Sequence, residues 1–414
     1  MQAVELVVVG HVHDRGHARG IDDLDQAREE PRRTDATAED RDPSHLWQAM
    51  RVSDRLPRPR ADLETFSVYR TQQVAADVRV NANEWADPNP AGRYLTSREL
   101  DDILLNRYPS AAATADLRAT LATRYGIAPD QLIFGNGSNE VLLNVFFVFG
   151  GHARTTLLFQ PTYSMHARLT QIAGGTVVEE HVGLPYDVTL DGALAAMDRT
   201  RPNIVTFTSP NNPTGNLIDD AIILAVAERY AETLVLVDEA YSDFAGNTVV
   251  PQIATHPNII VTKTFSKVHA AAGLRLGLLI VDPRIGDIFR AIQLPYNVSP
   301  LTTAVGAKIA KRDDDVQRRI VECATQRARV YAALQRAPGI EVFPSVTNFI
   351  LFRLTDRQPA DVHAKFLEHG VLIRDISMWP GCARCLRVSI GTPSENDRVI
   401  AAIEAVFSKT PARA

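Results

Sequence analysis

Short, continuous apolar runs recur through the middle of the chain, and segments with helical periodicity separate many of them. Runs of this kind, bounded by Gly, Pro or Asn, are typical of strands that are covered on both faces of a sheet. The predicted strands are residues 132–134, 155–159, 204–208, 234–238, 258–262 and 274–281. Because helical segments such as 116–125 and 218–232 lie between them, the pattern predicts an α/β fold with a mostly parallel central sheet flanked by helices.

The pattern changes after Pro300, where a long helical stretch continues to about Ala337 before Gly339 and Pro344 interrupt it. Three further apolar runs and two helices follow, at residues 350–354, 360–369, 371–375, 386–390 and from 395 onward. These elements predict a second, smaller α/β domain.

The first 45 residues differ from the rest because charged residues and His dominate them and large apolar side chains are few. Such a segment cannot bury enough surface to offset the loss of chain entropy on folding. We therefore expect a charged, disordered tail over 1–45, an amino-terminal segment over 46–110 that adds to the small domain, a large domain over 111–300 and the small domain over 301–414.

Bulk composition excludes several functional classes. A net charge of −5 over 414 residues offers no basic surface for nucleic acid or an anionic membrane. No apolar stretch is long enough to span a bilayer, and we expect no signal peptide. Three cysteines are too few for a disulfide framework, and Cys382-x-x-Cys385 lacks a second ligand pair for zinc. We expect a cytoplasmic protein without a metal.

Lys267 follows a predicted strand and lies among small and hydroxylated residues. A lysine amine is nucleophilic when neutral, a form that burial and nearby cations favour, so this position suits a Schiff base. The hydroxyls of Thr264 and Ser266 and the guanidinium of Arg275 suit a phosphate group. Taken alone, the segment is also compatible with a surface lysine in a turn.

Asp238 ends the apolar run 234–238, and Tyr241 follows three residues later. A carboxylate at a buried strand end can hold a proton on the ring nitrogen of a bound cofactor, and a nearby phenol can hydrogen-bond a ring hydroxyl. The alternative for Asp238 is the cap of a helix that follows the strand.

Two turns complete the set of candidate segments. The string Ser-Pro-Asn-Asn-Pro-Thr-Gly at 209–215 is rich in turn formers and by itself indicates only a tight loop. Residues 135–139 open a helix, where backbone N–H groups and the helix dipole can bind an anion.

The order of these four segments (an anion turn, Asn-Pro-Thr-Gly, Asp-x-x-Tyr and Ser-Lys) resembles that of the fold-type I pyridoxal-phosphate enzymes, the aspartate aminotransferase superfamily. The resemblance covers roughly residues 65–408. Further strings are similar to those of the histidinol-phosphate aminotransferase family, at residues 80–85, 106–109, 295–299, 347–349 and 386–392. The resemblance implies a fold-type I transferase with a large and a smaller α/β domain, pyridoxal 5'-phosphate as cofactor, and a homodimer to which residues 46–110 contribute contacts.

The resemblance also implies roles for the cofactor site. Lys267 would hold pyridoxal phosphate and move the proton of the substrate carbon, and Asp238 would pair with the ring nitrogen. Asn212 and Tyr241 would contact the ring hydroxyl, and Tyr163 would stack on the ring. The cofactor phosphate would be bound by Ser138, Asn139, Thr264, Ser266 and Arg275, with Tyr108 reaching it in the neighbouring subunit.

A second set of residues is implied for the substrate. Arg387 would bind anionic groups through a bidentate pairing that lysine could not match. Arg374 is at a position similar to a family arginine that binds the substrate phosphate, although it could instead be a solvated arginine at a strand end. Tyr69 and Asn83 would also contact the substrate.

Two segments depart from the family pattern. After Lys267, the usual aromatic residue is replaced within Val268-His269-Ala270, and we favour His269 as a neighbour packed outside the site over a new polar group in it. Met378-Trp379-Pro380 is an apolar insert that could shape a different substrate pocket.

The leading hypothesis is ping-pong transamination between histidinol phosphate and 2-oxoglutarate, with glutamate as the other partner, in histidine biosynthesis. The alternatives are an aminotransferase of the same family for aromatic or other amino acids, a threonine-phosphate decarboxylase, and a non-enzymatic regulator that binds the cofactor. The decarboxylase would release carbon dioxide without a keto acid. The regulator would need a DNA-binding domain, for which the first 45 residues are too short.

Overall fold

The structure is a computed structural model that describes residues 60–63, 66 and 74–408. Its strands are β1 (Val78–Arg79), β2 (Leu132–Asn136), β3 (Thr155–Gln160), β4 (Thr176–His181), β5 (Ile204–Thr208), β6 (Leu234–Asp238), β7 (Ile259–Thr264), β8 (Leu276–Ile280), β9 (Ile340–Val342), β10 (Phe349–Leu354), β11 (Val371–Leu372), β12 (Arg374–Asp375) and β13 (Cys385–Ser389).

The helices lie between these strands and at the two ends of the described chain. They are α1 (Ser97–Asp101), α2 (Ala115–Tyr125), α3 (Ser138–Phe149), α4 (Ser164–Ile172), α5 (Leu190–Thr200), α6 (Asp220–Arg229), α7 (Ser242–Ala245), α8 (Pro283–Ile292), α9 (Pro300–Ala310), α10 (Asp313–Arg336), α11 (Pro359–Glu368) and α12 (Pro393–Phe407). Short 3₁₀ helices are Ala61–Leu63, Ala91–Arg93, Ala111–Thr114, Pro129–Gln131, Val250–Ala254 and Ala272–Leu274. None of the described helices has both the length and the apolar character needed to cross a membrane.

A seven-stranded sheet has the order β2-β8-β7-β6-β5-β3-β4, and only β8 runs antiparallel to its neighbours. Alternate residues of the central strand β6 pack into two different hydrophobic cores. Val235 and Val237 belong to one core, and Leu234 and Leu236 belong to the other. Both faces of the sheet are therefore covered, which explains the continuous apolar runs in the sequence.

The carboxyl ends of β5, β6 and β7 meet at one edge of this sheet. Thr208 is the register partner of Asp238, and Asp238 is the partner of Thr262. Open α/β sheets bind ligands outside the carboxyl ends of their parallel strands. The topology therefore brings the residues after these three strands to one place.

A smaller antiparallel sheet has the order β12-β13-β10-β9. Its core contains the buried rings Phe349, Phe352, Phe366 and Phe407, to which β10, α11 and α12 contribute. Strand β1 pairs in parallel with β11, so residues 78–79 lie beside carboxy-terminal elements. The domain boundaries drawn from the sequence stay a prediction.

Three features of the fold differ from the sequence-based expectation. The helix expected from Pro300 to about Ala337 is divided into α9 and α10, because Arg312 has a non-helical backbone (φ −109°, ψ 65°). The strand expected over 371–375 is also divided, since its first part pairs with β1 and its second part with β13. Strand β4 was not predicted, because it is an edge strand with a partly exposed, mostly polar sequence.

A buried ion pair joins β7 to the residue that follows β6. Lys263 Nζ lies 2.7 Å from Glu239 Oε2, and both side chains are almost completely buried. Burial by itself lowers the pKa of Lys263, but the Glu239 carboxylate outweighs this and raises the pKa above its usual value. Lys263 therefore stays protonated, and its bond to Glu239 ties together the two strand ends.

We expect Lys263→Ala to lower the free energy of unfolding by about 3–5 kcal/mol, because it leaves the Glu239 carboxylate buried without its cation. Lys308→Ala is the matched control, since Lys308 pairs with Glu99 at the same 2.7 Å but at the surface. It should cost less than about 1 kcal/mol. Urea denaturation measures both, and equal losses in the two variants would contradict the expectation.

Candidate active site

The segment 81–83 contacts three of the candidate side chains in succession. Its first carbonyl accepts from Arg387 Nη2 at 3.1 Å, and its second accepts from Lys267 Nζ at 3.3 Å. Asn83 Nδ2 donates to Tyr241 Oη at 2.9 Å. One short stretch of chain therefore gathers residues that lie far apart in the sequence.

Lys267 lies in the turn that follows β7 and is half-buried. Its Nζ is 5.6 Å from the centre of the Tyr241 ring. Within the same turn, Thr264 Oγ1 donates to Ser266 Oγ at 2.9 Å and accepts from the Ser266 N–H at 3.1 Å. The two hydroxyls that the sequence singled out are thus held beside each other, next to the lysine.

Asp238 is 3% exposed at the end of β6 and has a partner that the sequence analysis missed. His166 Nε2, on α4, donates to Asp238 Oδ2 at 3.0 Å, and the backbone N–H of Ala240 donates to Oδ1 at 3.1 Å. The ring of Tyr163 stands edge-on to that of His166 with the ring centres 5.4 Å apart. The signal that could have revealed His166 is its position one helical turn after Tyr163.

An anion cradle forms where α3 begins. A side chain at Gly137 (φ 82°) would overlap the guanidinium of Arg275, and one at Gly277 would overlap the backbone nitrogen of Ser138. Gly277 is also the register partner of Thr264. Two glycines therefore let a helix N-terminus, a guanidinium and the Thr264–Ser266 hydroxyls approach one another, which is an arrangement that binds phosphate.

Asn139, the next residue of α3, connects the cradle to a predicted ring-stacking residue. Its Oδ1 accepts from the hydroxyl of Tyr163 at 3.2 Å. The same tyrosine contacts His166, so the cradle and the Asp238 carboxylate are joined by one line of side chains.

Arg374 and Arg387 are directly opposite each other in the antiparallel pair of β12 and β13. Opposed residues of such a pair point to one face, with Cβ atoms about 5 Å apart. Arg387 is 5% exposed, donates from Nη1 to Asn212 Oδ1 at 2.5 Å, and lies over the ring of Phe349 at 5.2 Å. The register thus puts the side chains of Arg374 and Arg387 on the same face of this small sheet.

Tyr108, another predicted site residue, lies at the surface of the chain. Tyr108 is 79% exposed and stacks on Tyr296 with ring centres 4.5 Å apart, and Tyr69 is outside the described residues, as is the expected tail over 1–45.

Cys382 and Cys385 are buried free thiols. Within the described ranges no three His, Cys, Asp or Glu side chains are grouped so that they could hold a metal ion.

His269, two residues after Lys267, is packed between two neighbours. Its ring stacks on Phe265 with centres 4.4 Å apart, and its Nε2 accepts from Arg124 Nη1 at 3.1 Å. A guanidinium can only donate, so this contact fixes the neutral ring with its proton on Nδ1. Burial, together with the Arg124 charge, lowers the pKa of His269 from 6.5 to about 4.

This lowered pKa predicts acid sensitivity. In the unfolded chain His269 is protonated below pH 6.5, whereas in the folded chain it stays neutral down to about pH 4. The contribution of His269 to stability is therefore complete above pH 6.5 and declines below it. The loss reaches about 3 kcal/mol at pH 4. Urea unfolding of His269→Phe should show a shallower acid decline than the wild type. His152→Gln, at an exposed histidine, should keep the wild-type decline, and parallel curves for all three proteins would disprove the assignment.

Comparisons with known proteins show what the chain is similar to. Residues 76–403 match the family model for aminotransferase class I and II. The chain is 37% identical to the histidinol-phosphate aminotransferase of Nocardia farcinica, over 84% of this chain and 91% of the relative. It is 38% identical to that of Thermobifida fusca, over 83% and 93%. The histidinol-phosphate aminotransferase of Sinorhizobium meliloti, solved in complex with pyridoxal-5'-phosphate, superposes with a TM-score of 0.76 over 86% of this chain and 98% of that one, at 22% identity.

Proposed function

We propose that this chain, which belongs to the aminotransferase class I and II family, exchanges the amino group of histidinol phosphate with 2-oxoglutarate, a step of histidine biosynthesis. Membership makes the chain a pyridoxal-phosphate-dependent aminotransferase acting on amino-acid and keto-acid substrates, as the sequence predicted. The predicted fold-type I architecture is confirmed by the sheet order and the superposition. What we propose beyond family membership is the identity of the substrates: histidinol phosphate, with its phosphate group, and the 2-oxoglutarate–glutamate pair.

The residues of the site fit the cofactor. The cradle at Gly137 and Gly277 is open only because both residues lack a side chain, and it exposes donors that suit a phosphate. Asp238 accepts one hydrogen bond on each oxygen, which leaves acceptor positions for the N–H of a pyridinium ring. The arrangement supports the assignment of Asp238 to the ring nitrogen.

When bound, pyridoxal phosphate withdraws electrons from the substrate α-carbon and so makes its proton removable. In the proposed mechanism Lys267 holds the cofactor and moves that proton at Nζ, which the carbonyl of Ala82 keeps in place. His166 supports the Asp238 carboxylate from behind, so that the carboxylate holds the proton on the ring nitrogen. Tyr163 would cover the ring, and Asn212 and Tyr241 would face its hydroxyl. The phosphate would be held by Ser138, Asn139, Thr264, Ser266 and Arg275.

We expect Lys267→Ala to lose the visible absorbance band of the covalently held cofactor, because no other amine replaces Nζ. Absorbance spectra after gel filtration in the presence of pyridoxal phosphate measure this. Lys263→Met is the control variant, since the Lys263 amine is paired with Glu239. The folded fraction of this variant should keep the absorbance band. A band retained in Lys267→Ala would assign the cofactor to a different residue.

The opposed arginines carry the proposal for the substrate. Like charges directly opposite each other destabilise an antiparallel pair, and a dianion between them removes that repulsion. A phosphate group offers two charges to Arg374 and Arg387 together, and guanidinium groups bind phosphate and carboxylate alike. Arg387 is also proposed to receive a carboxylate of glutamate in the other half-reaction.

We expect Arg374→Ala to lower kcat/KM for imidazole acetol phosphate, with glutamate as donor, by about 10–100-fold, as for a lost hydrogen bond to a charged group. The value for phenylpyruvate, which carries no phosphate, should change less than about threefold. Arg353→Ala is the matched control, since Arg353 lies on the same sheet but is paired with Glu341 at 2.5 Å. No turnover of the phosphate by the wild type would refute the proposed substrate.

An aminotransferase for aromatic substrates is the second candidate. The turn between β12 and β13 carries Met378, which is 93% exposed, and Trp379, which packs on a small cluster that includes Tyr186 and Cys385. An apolar turn four residues after Arg374 favours an apolar side chain on the substrate. A higher wild-type kcat/KM for phenylpyruvate than for imidazole acetol phosphate would support this candidate.

We further propose a cytoplasmic homodimer in which Tyr108 reaches the phosphate site of the partner. Exposed apolar side chains accompany the stacked pair of Tyr108 and Tyr296, and surfaces of this kind are typical of protein interfaces. They include Leu100, Leu104, Leu105 and Leu294. Three free cysteines suit a reducing compartment.

A further inference from the structure

We propose that Asn83 positions the hydroxyl of Tyr241 as a hydrogen-bond donor to the ring oxygen of the cofactor, and that Ser389 fixes the orientation of Asn83 that this requires. The inference rests on the proposed role of Tyr241, and it concerns residues separated by 158 and 306 positions in the chain.

Every polar group of Asn83 is bonded within the protein. Its backbone N–H donates to Ser389 Oγ at 2.9 Å, and its carbonyl accepts from Asn348 Nδ2 at 3.1 Å. In the side chain, Oδ1 accepts from Ser389 Oγ at 2.8 Å and Nδ2 donates to Tyr241 Oη at 2.9 Å. Because the residue is 1% exposed and its side chain bonds Tyr241 and Ser389, we infer that it acts through Tyr241.

Ser389 determines which way the amide faces. Its oxygen already accepts from the Asn83 N–H, so its own hydrogen needs an acceptor, and Asn83 Oδ1 is in place. With the amide reversed, two donors would point at Ser389 and its hydrogen would lose that acceptor. The oxygen of the amide therefore faces Ser389, and the NH₂ group faces Tyr241.

This orientation determines the hydrogen of Tyr241. Since the phenol oxygen accepts from Asn83, its own hydrogen is directed elsewhere, and the ring is held by an edge-on contact with Phe349 at 5.1 Å. Tyr241 is 4% exposed, and Lys267 Nζ lies near its ring. The hydroxyl is thereby presented as a donor on the side of the site where Lys267 holds the cofactor.

The same segment joins this network to the substrate end of the site. Ser389 and Arg387 lie two residues apart on one face of β13, and the Ser389 N–H donates to the Val80 carbonyl at 2.8 Å. Arg387 binds the Asn81 carbonyl. Asn83 is therefore a positioning residue that is bonded to the same strand that carries Arg387.

Asn83→Asp tests the proposal in the full chain loaded with pyridoxal phosphate. A carboxylate can only accept, so the Tyr241 hydrogen turns toward it and the ring oxygen loses its donor. A donor to the ring oxygen stabilises negative charge there and lowers the pKa of the absorbing group. We expect Asn83→Asp to raise the pKa in a titration of the visible band by about one pH unit, and Tyr241→Phe to raise it equally.

The double variant Asn83→Ala/Tyr241→Phe should show no more than the shift of either single variant, since both changes remove one interaction and neither adds a charge. Asn396→Asp is the matched control, because Asn396 is also a buried asparagine. Its Oδ1 accepts from the Gly391 N–H and its Nδ2 donates to the Gly391 carbonyl, so its side chain bonds Gly391 and not Tyr241. It should lower the melting temperature and leave the titration unchanged.

A shift in Tyr241→Phe without one in Asn83→Asp would reduce Asn83 to a structural residue and overturn the inference, and an unshifted Tyr241→Phe would overturn it too. If Asn83→Asp does not fold, the same titration of Asn83→Ala and Ser389→Ala decides, with a rise expected in both. Failure of the proposed substrate is distinguishable, because it appears only in keto-acid turnover and not in the titration.

Discussion

The parallel pairing of β6 and β7 is the constraint on which the site depends. It brings the end of the strand that carries Asp238 beside the end of the strand that leads to Lys267. Both strands are buried along their whole length, so a shift of either by one residue would force both covered faces of the sheet to repack. The buried pair of Lys263 and Glu239 ties the two ends together from within. A carboxylate and an amine with opposite tasks are thereby kept in a fixed relation.

The sequence predicted the elements of the large sheet well, because strands covered on both faces leave an unmistakable apolar run. β5 and β6 have the predicted bounds, and their ends carry the predicted loops. The sequence did not reveal the division of the run at Ile373, because which strand pairs with which is decided by distant residues. The edge strand β4 was missed for the opposite reason, since half-exposed strands carry few apolar residues.

Within the site, side chains at strand ends were predictable and their supports were not. Asp238 and Lys267 were predicted because their neighbours form ordered motifs, whereas the contacts of His166 with Asp238 and of Ser389 with Asn83 join residues far apart in the sequence and leave no pattern in it. His269 departs from the family pattern, which has an aromatic residue after the lysine, but its flat ring packs as an aromatic ring could. It stacks on Phe265 at an interplanar angle of 22°. Spacing along the chain reveals residues that meet the ligand, and only folding reveals those that hold them.

The opposed arginines have a consequence for the enzyme before substrate binds. If Arg374 and Arg387 bind the substrate phosphate as proposed, free inorganic phosphate offers them a similar charged group before any substrate arrives. Cellular phosphate would then compete for this end of the site, and its concentration would set how much substrate is needed to half-saturate the enzyme. At a lower phosphate concentration less of the enzyme would hold phosphate at this end of the site, so the proposed substrate would half-saturate it at a lower concentration.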